Sequence, residues 1–99
     1  MIYTIAFDLT APERNEARID EWIVRSFDDR AQLLPRLWVV SGPMAGEQIR
    51  TALAPLLGAR DRMVIIKTAT EALSHGLDPE AKRWLAESFP GSITERVPG

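Results

Sequence analysis

The chain opens with apolar residues in alternation. Over residues 2–9, Tyr3, Ile5, Phe7 and Leu9 fall on one side, and Ile2, Thr4, Ala6 and Asp8 on the other. A period of two predicts a strand with one bulky face. The period then lengthens. Ile19, Trp22, Ile23 and Phe27 stand at helical spacing and predict a helix with one buried stripe. Its start is open between a cap at Asn15 and a cap at Thr10 with Glu13 closing a capping box. Residues 31–41 read as two strands broken near Pro35-Arg36, since proline donates no ladder hydrogen bond. In the second of them Leu37 and Val39 alternate with Trp38 and Val40, so both faces are apolar.

Gly42-Pro43 breaks that strand, and Ile49, Ala52, Leu53, Leu56 and Leu57 predict a helix over residues 45–57. Pro55 is expected to kink or tighten its last turn, and Gly58 to close it as a C′ glycine. Residues 63–68 form a further strand, with Val64 and Ile66 opposed to Met63 and Ile65. Arg60-Asp61-Arg62 before it reads as a solvated turn. Asp78-Pro79-Glu80 carries the cap, first-turn proline and acidic first turn of a helix start. Ala81, Trp84, Leu85 and Ser88 make its narrow inner face, and Pro90-Gly91 ends it.

The order is therefore β-α-β-β-α-β followed by a helix and a short tail. The expected class is α+β: a ferredoxin-like βαββαβ antiparallel sheet with an extra C-terminal helix. Residues 1–91 are expected to form a single domain, and residues 92–99 a tail able to pair as an edge strand with a partner protomer. Such a sheet is usually covered by helices on one face and polar on the other. Here outward positions remain apolar. The last helix can cover part of them and a second copy of the chain the rest, so a homodimer is expected.

Composition narrows the chemistry. The 99 residues suit one domain. With no cysteine, disulfides, zinc–thiolate sites and thiol catalysis are excluded. A net charge of −2 and a pI near 5.3 argue against broad non-specific nucleic-acid binding, though not against a local basic patch. No apolar run approaches the roughly 20 residues of a membrane span, so no membrane partner is expected and a cytoplasmic location is the default. His75, the one histidine, has no ligand or triad partner at a motif spacing, and the glycines make no phosphate loop.

Asp8 is the first candidate for chemistry. A carboxylate at the end of a strand can hold a hard divalent ion, Mg²⁺ or Mn²⁺, or it can cap the turn that follows. One carboxylate makes a weak site, and two copies meeting at a twofold axis make a better one. Trp38 either stacks on a base or packs in the core, and Arg36 beside it either contacts phosphate or guards a strand edge.

The runs YTIAFDLTAPERN, RLWVVSG, GARDRMVIIKTATEALSHGL and WLAESF resemble the Cas2-like proteins, including the VapD-related relatives and a bacterial branch often labelled SinR family. The resemblance covers most of residues 2–89. It implies ferredoxin-like homodimers that serve nucleic-acid handling or mobile-element defence beside a nucleic-acid-processing protein. Some members are metal-dependent nucleases. It places Asp8 near the dimer axis as a metal ligand and catalytic residue. Beside it, the residues themselves offer Arg14, Arg18 and Arg36 as a basic rim for a nucleic-acid backbone and Trp38 as a stacking surface. The family often has a small hydroxyl residue two places before the central-strand aromatic. Arg36 stands there in this chain. The expected function is accordingly a Cas2-like dimer with weak or absent nuclease activity. The alternative is a metal-dependent endonuclease using paired Asp8.

Overall fold

A computed structural model describes residues 1–10, 12–68 and 74–89, with the side chains of residues 12–14 left aside. The chain forms two compact units, Met1–Thr68 and Ala69–Gly99. The first contains strand β1 (Ile2–Asp8), helix α1 (Pro12–Ser26), strands β2 (Asp29–Leu34) and β3 (Leu37–Ser41), helix α2 (Gly46–Leu53) with a 3-10 turn (Ala54–Leu56), and strand β4 (Arg62–Lys67). The second contains helix α3 (Pro79–Ser88). The expected order of elements is present, as an α+β fold on an antiparallel sheet.

The 4-stranded sheet runs β2-β3-β1-β4, so β1 lies inside and β2 and β4 are the edges. Tyr3 pairs with Val40 on one side and Lys67 on the other. This register puts Tyr3, Ile5 and Phe7 on one face with Trp38 and Val40. Ile19, Ile23 and Phe27 of the α1 stripe and Ile49 and Leu53 of α2 complete the core, with Met63 and Ile65 packed against it. Ile5, Ile19, Ile23, Ile49 and Leu53 are fully buried, each contributing about 1.5–3 kcal/mol of apolar transfer. Trp22 sits at the rim, edge-on to Phe27 at 5.9 Å.

The opposite face carries Ile2, Thr4 and Ala6 with Leu37, Val39, Val64 and Ile66. Val39 is buried there, whereas Val64 and Ile66 are 49% and 54% exposed. Its apolar character is as the alternation predicts.

Several boundaries differ from the sequence reading. Helix α1 begins at Pro12, three residues before the Asn15 cap and close to the alternative start after Thr10, because proline at the first helical position loses no intrahelical bond. Pro55 does tighten the end of α2 into a 3-10 turn. Gly58 is not a left-handed cap: among the described glycines only Gly76 has positive φ. The Asp78 cap of α3 stands as expected, its carboxylate accepting from the Ala81 N–H at 2.8 Å. The expected tail strand at residues 92–97 lies outside the described residues. Among the described residues no helix is long and apolar enough to cross a membrane.

Candidate functional site

Asp8 ends β1 on the face away from α1 and α2, directly opposite Arg62 at the start of β4. The Arg62 guanidinium donates to its carboxylate at 2.6 Å, and both side chains are mostly exposed. Beside them is a shallow recess of about 360 Å³ lined by Ala6, Phe7, Met63 and Val64 as well as the pair itself. Chemically this corner is an apolar strip ending in a neutralised ion pair. Such an exposed pair is screened by solvent and adds little to stability.

Within one chain these residues do not fit a divalent metal. Mg²⁺ and Mn²⁺ take several oxygen ligands. Asp8 supplies one carboxylate, and a cation of its own chain already engages it. Among the described residues no three His, Asp or Glu side chains cluster as a ligand set.

The turn-capping role considered for Asp8 belongs to Asp61. Its Oδ1 accepts from the Thr10 N–H at 2.8 Å and from the Thr10 hydroxyl at 3.1 Å. Its Oδ2 accepts from the Gly58 N–H at 2.6 Å and from the Asn15 side-chain amide at 3.2 Å. The Thr10 N–H, and after it the Gly58 N–H, holds the Asp61 carboxyl below the usual aspartate range. Asp61 therefore ties the loop after β1, the first turns of α1 and the entry to β4 together. The segment is the solvated turn expected, and what the sequence reading missed is that its aspartate gathers these donors. A signal was available: Gly58-Ala59-Arg60-Asp61 is the composition of a tight turn whose aspartate can bond the backbone.

Arg36 and Trp38 both approach acidic residues of α1. Arg36 is the second residue of the β2–β3 turn, with φ of 62°, a left-handed conformation usually given to glycine or asparagine. That conformation costs a residue with a Cβ about 1–2 kcal/mol. The Arg36 carbonyl accepts from the Phe7 N–H at 3.1 Å, which binds the turn to β1. Its Nε lies 3.4 Å from a Glu16 carboxylate oxygen. The Trp38 indole N–H donates to Asp20 at 2.9 Å, and its ring is buried in the core. Glu16 and Asp20 are one helical turn apart on α1 and so reach two residues on one face of the β3 side. Trp38 is thus a core residue with its polar atom satisfied, and no base can stack on it in this conformation. Arg18 is exposed on α1, while the side chain of Arg14 lies outside the described set.

A second concavity, a groove of about 410 Å³, runs between α2 and β4, with Tyr3 in its wall and Gly46, Glu47, Arg50, Met63 and Lys67 around it. Gly46 is required there, because a Cβ at this position would stand 2.9 Å from the Tyr3 ring. Glu47 and Arg50 are ion-paired across the turn of α2. Sequence reading missed this groove, since its walls come from segments far apart in the chain. The chain matches no protein-family model and no curated protein sequence.

Proposed function

We propose that this chain is a Cas2-like, ferredoxin-like homodimeric module of the cytoplasm that serves nucleic-acid handling as a non-catalytic subunit, with nuclease activity weak or absent. One observation carries the reading. The carboxylate expected to do metal chemistry is neutralised by Arg62 of its own chain, on a strand that leaves Val64 and Ile66 open to solvent. A nuclease needs a free acidic ligand set to polarise phosphate and activate water. A dimeric module needs an apolar contact surface. The corner has the second property and, in one chain, lacks the first. The sheet order with α1 and α2 on one face supports the ferredoxin-like reading.

The test is light scattering at micromolar concentration together with incubation of the protein with RNA and DNA in Mg²⁺ or Mn²⁺. A dimer with no metal-dependent cleavage is expected. Cleavage that Asp8→Ala abolishes would establish the endonuclease with paired Asp8 instead, and a monomer would defeat both.

A further inference from the structure

We draw no further inference here: the strongest candidate, the groove of about 410 Å³ between α2 and β4 walled by Tyr3, Met63 and Ile65, is an apolar concavity whose Glu47 and Arg50 are already paired with each other, and nothing in the structure shows what covers it.

Discussion

Asp8 and Asp61 stand near the same end of the sheet, and the fold uses them in opposite ways. Asp8 points from an exposed strand end to a single partner, the flexible guanidinium of Arg62. Asp61 receives two backbone amides, a hydroxyl and a side-chain amide from two loops and a helix. Both are aspartates beside a strand terminus. The difference lies in how many fixed donors converge on each. Backbone N–H groups cannot move away from a carboxylate without unfolding a turn, whereas an arginine at the surface can.

The largest expected effect is therefore at Asp61. Asn15→Ala, which removes one of its donors, is expected to lower the urea midpoint slightly. Asp61→Ala, which orphans the amides of Thr10 and Gly58 as well, is expected to cost more, and urea unfolding of the two variants side by side measures the order. Equal losses would mean that the backbone contacts add nothing.

Acid comes next. Asp61 titrates below its ordinary range in the folded state, so its carboxylate stabilises the fold fully above the unfolded aspartate value of about 3.9. That contribution is lost as pH falls through the lower folded value. The stability of the wild type is expected to decline over this window more steeply than that of Asp61→Asn, as thermal melts from pH 5 down to pH 2 would record. Parallel curves would assign the acid sensitivity to other carboxylates.

The smallest effect is at Asp8. Asp8→Asn and Arg62→Ala are each expected to leave the unfolding midpoint unchanged within error, because an exposed pair contributes little. A clear loss in either would show that this corner is as structural as the Asp61 turn, and would erase the contrast.

Much of the fold was legible from periodicity. The α1 stripe, the break at Pro35-Arg36, the tightened turn at Pro55 and the Asp78 cap all depend on local spacing or on one residue's backbone chemistry. The start of α1 was left open between two caps, and the observed start at Pro12 is close to the one after Thr10; both Thr10 and Asn15 donate from their side chains to Asp61. The functional corner was half legible. Asp8 was rightly located at the end of the first strand, but its partner comes from a strand that the alternation began one residue too late. Trp38 was left between core and surface because its strand is apolar on both faces, and only the acidic pair Glu16 and Asp20 on α1 distinguishes its side.

What the sequence by itself determined is the succession of elements and which side chains of each element share a face, since these follow from backbone periods of two and 3.6 residues. What only the tertiary structure decided is on which carboxylate several donors converge, which of the described strands lie at the sheet edges, and that Arg36 and Trp38 approach α1. Most of those contacts join residues far apart in the chain, as with Asp61 and Thr10, 51 positions apart. Local pattern carries no record of a contact that exists only after the sheet has closed between β1 and β4.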